Sequence, residues 1–498
     1  MNAVSERTRR GLEILGAAVA LGLGGDLVLR ATPWGLNALL CVAGLIAAVW
    51  WIASRRGARA SADAPWLAVV ALLLGSNFAA RDSDALRAFD AIGLSIVASL
   101  ACLSLRGVAL RGRHTCEYLR AGVATAASAC VGAFALLGRD VTWSELPNGG
   151  ALRHARAAGV GTLLAFPLLL VFGGLFASAD AVFGKMVNSV LDVDFPALVS
   201  HTVLIGTLTA FTAGYLREAV LGRGPGPGAP TGHGSSLGIV PIATALALLD
   251  LLFLAFVVIQ LRYFFGGTEL IQGTTGLTYA EYARRGFFEL VAASALVLPV
   301  LVGADWTLRN EPRDHQRWFG RLSAGLLVLL GIIMASALQR MRLYVDEFGL
   351  SQIRLYSTAF MVYLAGVVAW FGWTVLRGRR RRFAFGALVQ GFAVLAGLHL
   401  LNPDAFIVRT NLARPPGHRP FDAAYAASLS GDAVPYLLAA FPRLDDREKC
   451  RTAAALLRRW TGDADWRNWN LSRAWARRVV HEQEASLRAV PCKDAVAR

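Results

Sequence analysis

The chain is short of the groups that keep a protein of this length in water. Only 17% of its 498 residues are charged against 55% hydrophobic, and the mean hydropathy is +0.48. That is too apolar for an ordinary soluble protein. Chemistry-bearing signatures are equally scarce. No CxxC pair, Cys/His metal spacing, Walker sequence or HExxH occurs, which removes the usual zinc and P-loop classes. No cofactor or metal is therefore implied. Acidic residues number 34 against 50 basic ones, a formal charge of +16 carried mostly by arginine. The arginines cluster at the ends of apolar runs, where positive-inside bias and anionic headgroups account for them. Membrane lipids are the expected partners and nucleic acid is not. The first apolar run follows a basic flank (MNAVSERTRR) but shows no small-residue cleavage pattern, so it reads as a first membrane helix.

What is present is a series of membrane-length apolar segments, at 11–29, 34–53, 65–80, 88–105, 118–137, 157–178, 200–216, 237–261, 286–304, 322–339, 355–376 and 383–401. A hydrocarbon core of about 30 Å takes roughly 20 such residues in a helix. The expected fold is all-α, a polytopic transmembrane helical bundle of 11–13 spans with a small C-terminal helical domain. Three regions follow: N-terminal hairpins over 1–137, a main membrane core over 138–401 with a Gly/Pro-rich linker at 222–236, and an extramembrane helical domain over 402–498. In the last, Cys450, Ala453, Leu457 and Trp460 share one helical face. Arg30–Asn37 and Arg81–Asp90 hold similar places in the first two hairpins, a hint of duplication.

Orientation rests on arginine in short loops. The run Arg377–Arg382 should be cytoplasmic, which puts the charged hairpin Arg340–Arg354 and the C-terminal domain outside. Arg7, Arg9, Arg10 and Arg55 also ask to be inside, and twelve spans cannot satisfy both ends. Either 179–199 adds a crossing or 65–80 does not span. Cys450 and Cys492 are free thiols or, in an oxidising compartment, a disulfide.

Several phrases resemble a bacterial membrane-protein family: FPLLLVFGGLFASADAVF (166–183), YFFGG (263–267), TYAEYARRGFFEL (278–290), RLYVDEFGLSQIRLY (342–356), LNPDAFIVRTNLAR (401–414) and FDAAYAASLSGDAVPYLL (421–438). The family is domain of unknown function 4173, related to domain of unknown function 4153. The resemblance implies a polytopic protein of the bacterial inner membrane and supplies no catalytic residues.

Four of these phrases meet on one face under the orientation above, which makes Asp180, Arg262, Glu281, Arg285, Arg342, Asp346, Glu347, Arg354 and Asp404 candidates for a binding site. The competing reading is interfacial salt bridges and headgroup contacts. Glu289 sits one turn inside its span. Asp250 is the one ionisable residue in 237–261 and lies near its middle. A carboxylate there costs at least about 2.5–3.5 kcal/mol unless paired, protonated or hydrated, so it marks either an ion or proton relay or a protonated, hydrogen-bonded carboxyl. Ser428–Gly431 reads as an ordinary helix–turn. The leading functional expectation is a non-enzymatic protein that binds or moves a small solute, ion or lipid through a polar site. The alternatives are a membrane enzyme on lipid-linked substrates, with Asp346 or Glu347 as base and Arg342 or Arg354 holding phosphate, and a signalling or assembly accessory whose C-terminal domain binds a protein partner.

Overall fold

A computed structural model describes residues 4–55, 60–145, 195–222, 238–265, 287–308, 311–415 and 420–492, with isolated positions between 165 and 180. The side chains of 195, 261–265 and 313 are outside the description. The protein is all-α, 84% helical and without strands among the described residues. Ten helices there are long and apolar enough to cross a membrane. This is a multi-pass membrane protein, and the reason is elementary: in hydrocarbon each backbone N–H and C=O must be satisfied within its own segment.

In chain order the helices are α1 (Glu6–Leu29), α2 (Leu36–Ser54), α3 (Ala64–Ala80), α4 (Asp84–Leu105), α5 (Thr115–Ala135, extended by a π turn Leu136–Asp140), α6 (Phe195–Leu221), α7 (Ile239–Phe265), α8 (Phe287–Thr307), α9 (Arg313–Phe348), α10 (Gln352–Thr374) and α11 (Phe383–Leu401). Eleven of the twelve apolar segments are therefore helices, and the twelfth, 157–178, lies almost wholly outside the described residues, as does the 222–236 linker. Three buried clusters hold the bundle: α1, α2 and α6 around Ile14, Ile52 and Leu216, α3, α4 and α11 around Leu74, Leu86 and Leu398, and α7 to α10 around Leu301, Leu326 and Phe371. Where α5 crosses α6, a Cβ on Gly132 would stand 2.8 Å from Gly214 Cα. Only glycine lets two helices approach so closely.

The bundle has two faces. On one, Arg55 reaches Glu13, Arg106 reaches Glu218, Arg111 covers the Phe385 ring, and Arg380 pairs with Asp305. The other receives the C-terminal domain. The 17-residue helix α3 connects the two: Asp63 at its start accepts from Leu110 N on the arginine-rich face, and Arg81 at its end pairs with Asp432 of the C-terminal domain. Helix α5 does not change faces. Tyr118, in its first turn, bonds Leu110 O at the arginine-rich face, and Asp140 at its far end lies between Arg7 and Arg217 of that same face. The N-terminal arginines and Arg377–Arg382 thus share one face, and the parity conflict in the sequence dissolves at α5, an apolar segment whose two ends polar pairs tie to the same side.

Helix α9 also departs from expectation. It runs on through the charged stretch to Phe348, and the turn is only Gly349–Ser351. At about 1.5 Å per residue its 36 residues exceed any hydrocarbon core, so its last turns project beyond the bundle. Gly349 stops it at φ 79°, a left-handed conformation that suits glycine.

Beyond Asn402 the helices α12 (Pro403–Leu412), α13 (Ala423–Ser428), α14 (Val434–Ala440), α15 (Asp446–Trp460), α16 (Leu471–Glu482) and α17 (Glu484–Arg488) form the C-terminal part. Side chains cap the two longest: Asp445 accepts from Glu448 N, and Asn470 from Arg473 N. Cys450 and Cys492 form a disulfide with Cα atoms 5.4 Å apart. The core of this part (Leu437, Leu456, Trp460, Val480) also takes in Leu350 of the α9–α10 turn and Leu355 of α10, so the C-terminal helices pack as a continuation of the bundle.

Candidate functional site

Among the described residues, the densest buried polar cluster lies where the three-residue α3–α4 turn, Arg81-Asp82-Ser83, meets the C-terminal helices. Asp82 Oδ1 accepts from Arg473 Nη1 at 2.9 Å and from Arg87 Nη1 at 3.1 Å, while its Oδ2 accepts from Gly431 N at 3.0 Å. The gesture is returned: Asp432 Oδ2 accepts from Asp82 N at 3.0 Å. Asp432 Oδ1 takes Arg81 Nη1, Asn402 Nδ2 and Ser472 Oγ at 3.0, 3.1 and 2.5 Å. Asp82 and Asp432 are 5% and 3% exposed, and Asp404 is fully buried. Charges so far from water persist only when paired and hydrogen-bonded, and here three guanidinium groups and several amides do both.

Local sequence explains the assembly. Helix α3 ends with carbonyls that have no partner in the helix; Asn470 Nδ2 donates to Phe78 O and Arg81 O, and Ser472 Oγ donates to Ala80 O. A Cβ on Gly431 would meet Ser472 O at 3.0 Å, so glycine is what allows the SLSGD turn to approach. Arg473 is pulled below the usual arginine range by burial, with Asp82 opposing. Asp404 sits one step away: its Oδ1 accepts from Gln352 Nε2 at 2.8 Å and its Oδ2 from Ser430 N at 3.2 Å. Burial pushes its carboxyl up and Asp432 adds to the push, while Ser430 and Gln352 hold it down.

One turn deeper, Asp90 Oδ1 accepts from Asn77 and lies 3.0 Å from His399 Nε2. Asp90 Oδ2 and His399 Nδ1 are buried without hydrogen-bond partners. Beside this pair, Tyr356 O–H and Ser83 Oγ share a 3.0 Å hydrogen bond. Tyr356 heads an apolar cleft of about 340 Å³ between α4, α10 and α11, walled by Phe89, Gly93, Phe360, Gly391 and Leu395. An apolar pocket with a few polar groups at one end is the usual form of a small-molecule site.

Of the candidates read from sequence, the structure brings Asp404 and Arg354 to this region. Arg354 lies over the Tyr344 and Phe348 rings, 4.1 and 5.7 Å to their centroids, and donates to Gly349 O; it closes the α9–α10 turn. Arg342, Asp346 and Glu347 are exposed on the last turns of α9, where Arg414 donates to the carbonyls of Asp346 and Glu347. Asp180 and Glu289 are exposed. Glu281 and Arg285 lie outside the described residues, and so does the Arg262 side chain, which belongs to α7. His201 and His399 go to different carboxylates, Asp26 and Asp90.

Asp250 stands apart. Its Oδ1 is buried with no hydrogen-bond partner, and its carboxylate faces Gly325 of α9, where a Cβ would lie 3.6 Å away. The surrounding groove is apolar, formed by Ala247, Leu251, Leu254, Leu322 and Val328.

A family model matches residues 67–440, three quarters of the chain. The chain belongs to the family described as Domain of unknown function (DUF4153). No curated protein and no solved structure matches it. The family match runs from within α3 to the end of α14, so it contains Asp82, Asp404 and Asp432, while Ser472 and Arg473 lie beyond it.

Asp82, Asp90, Asp432 and Arg473 are the residues that sequence reading missed. In sequence, Arg81–Asp90 reads as a counterpart of Arg30–Asn37 in the first hairpin, and Ser428–Gly431 as an ordinary helix–turn. The available signal was charge density: an apolar hairpin closed by only three residues has no room to spread all of Arg81, Asp82 and Arg87 into solvent.

Proposed function

We propose that this multi-pass membrane protein binds an amphipathic small molecule, its hydrocarbon part in the α4–α10–α11 cleft and its polar end toward Tyr356 and the Asp90–His399 pair. The observation that carries the reading is that cleft, apolar along its length and headed by a hydroxyl in a buried polar network. Asp404 and Arg354 belong to the support of this site, and Asp250 to a second locus on α7. We further place the protein in the 4173 branch of the related families and in a bacterial plasma membrane. In that setting the arginine-rich face is cytoplasmic by the positive-inside rule and the C-terminal helices are extracytoplasmic, where the Cys450–Cys492 disulfide is at home.

The test is photolabelling of the purified protein with a diazirine-bearing fatty acid, followed by peptide mapping. Labels should concentrate on 356–363 and 391–398 and disappear from both when Ala359→Trp fills the cleft. The same label distribution in wild type and Ala359→Trp would refute the reading.

One observation favours a second reading, an assembly accessory. Trp466, Leu471 and Trp475 of the C-terminal part are each exposed, a composition suited to a protein partner. Trp466→Ala with Trp475→Ala should then release a co-purifying subunit. Truncation at Asn402 would be uninformative, because it also removes Asp432 and Arg473 from the bundle.

A further inference from the structure

On the arginine-rich face, at the opposite end of the bundle from the cleft, the start of α9 and the segment after α10 line an open cavity of about 800 Å³. Its walls carry Gln316, Arg317, Arg321, Arg377 and Arg380, with Ala324 at the inner end. Two of the four guanidinium groups are matched by carboxylates: Arg317 by Asp314 at 2.9 Å and Arg380 by Asp305 at 2.8 Å. Arg321 and Arg377 have none among the described residues. Each instead lies over a tryptophan, Arg321 over Trp318 at 5.4 Å and Arg377 over Trp373 at 3.9 Å. The cavity therefore holds two positive charges that no carboxylate among the described residues neutralises, presented by arginine, whose planar fork suits phosphate oxygens.

We infer that this cavity binds the phosphate of an anionic phospholipid headgroup. Height and continuity select a lipid over a free anion. Trp318 and Trp373 are about half exposed beside the cavity, the position that tryptophan favours at a membrane–water boundary. The inner wall, Ala324, also lines the apolar groove of Leu322, Gly325, Val328 and Leu329 along α7 and α9. A phosphate among Arg321, Arg377 and Gln316 thus has a hydrocarbon path leading away from it into the bilayer. Asp250 lies further along that groove and meets the chains rather than the headgroup. Basic pockets between membrane helices are a recurring way of holding such lipids.

Native mass spectrometry of the detergent-solubilised protein, titrated with dioleoyl phosphatidylglycerol or dioleoyl phosphatidylcholine, tests this. The wild type should retain the anionic lipid in preference to the zwitterionic one. Arg321→Gln with Arg377→Gln should weaken that retention about twenty-five-fold, from roughly one factor of five per lost surface charge. Gly320→Phe keeps every charge but fills the cavity, since nothing lies within 4 Å of a Cβ there; it should weaken retention as well, with unchanged circular dichroism and melting in both variants. Equal retention of the two lipids, or wild-type retention in Gly320→Phe, would overturn the inference. Inorganic phosphate is the remaining arm: displacement of the lipid by equimolar phosphate would identify a free-anion site and overturn the lipid assignment, whereas resistance to it supports the lipid.

Discussion

Asp82 and Asp250 both lie largely out of water on membrane helices or their turns, and the structure treats them oppositely. Asp82 accepts from two guanidinium groups and a backbone amide, and its own amide is bound by Asp432. Asp250 faces a glycine in an apolar groove with one oxygen unpartnered. A buried charge with a full set of donors works as a structural fastening, because removing any member strands the others. A buried charge with none contributes nothing to the fold, so its presence has to be explained by a proton, an ion or a ligand. The same residue type is a lock in one place and a candidate functional group in the other, and the partners make the difference.

The largest effect should come from breaking the lock. Asp82→Ala leaves the buried Arg473 without its carboxylate, and Arg473→Met leaves the buried Asp82 with Arg87 as its one guanidinium partner. Either should lower stability by about 3–5 kcal/mol, read as detachment of the C-terminal helices in limited proteolysis. The double variant should lose less than the sum of the two, and strict additivity would show that the pair is not coupled. Asp250 should answer with the opposite sign. Asp250→Leu removes a desolvated carboxylate and should raise the thermal midpoint, with a gain of up to about 2.5–3.5 kcal/mol on insertion scales. A loss of stability would mean that the carboxyl has a structural partner after all, and would erase the contrast with Asp82.

The smallest effect concerns Asp404, which is buried yet held by only two donors. Burial raises its carboxyl above 3.8, so the folded state binds its proton more readily than the unfolded chain does. Its contribution to stability is therefore fully present below the unfolded value and is lost as pH rises through the folded one. Asp404→Asn should abolish that segment of the profile. Comparing melting curves of wild type and Asp404→Asn between about pH 4 and 7 isolates it from the Asp82 and Asp432 pairs, which the variants share. Parallel curves would show that Asp404 does not titrate there.

Much of this molecule was legible in the chain itself. Apolar runs of membrane length leave the backbone no choice but helix, and every such segment within the described residues is one. The clustering of arginine at one set of helix ends was legible too. Pairing was not. Arg81 and Asp432 are 351 positions apart and Asp82 and Arg473 391, and no periodicity links residues at such separation. Nor could composition show that α5 starts and finishes on one face, since hydropathy measures length and apolarity while Arg7 and Arg217 decide where Asp140 comes to rest. Local sequence set the secondary structure and the membrane because those depend on hydrogen bonding and transfer free energy residue by residue. Tertiary structure decided which buried charges are satisfied, because a charge is neutralised by whatever lies within a few ångströms of it, wherever that group stands in the chain.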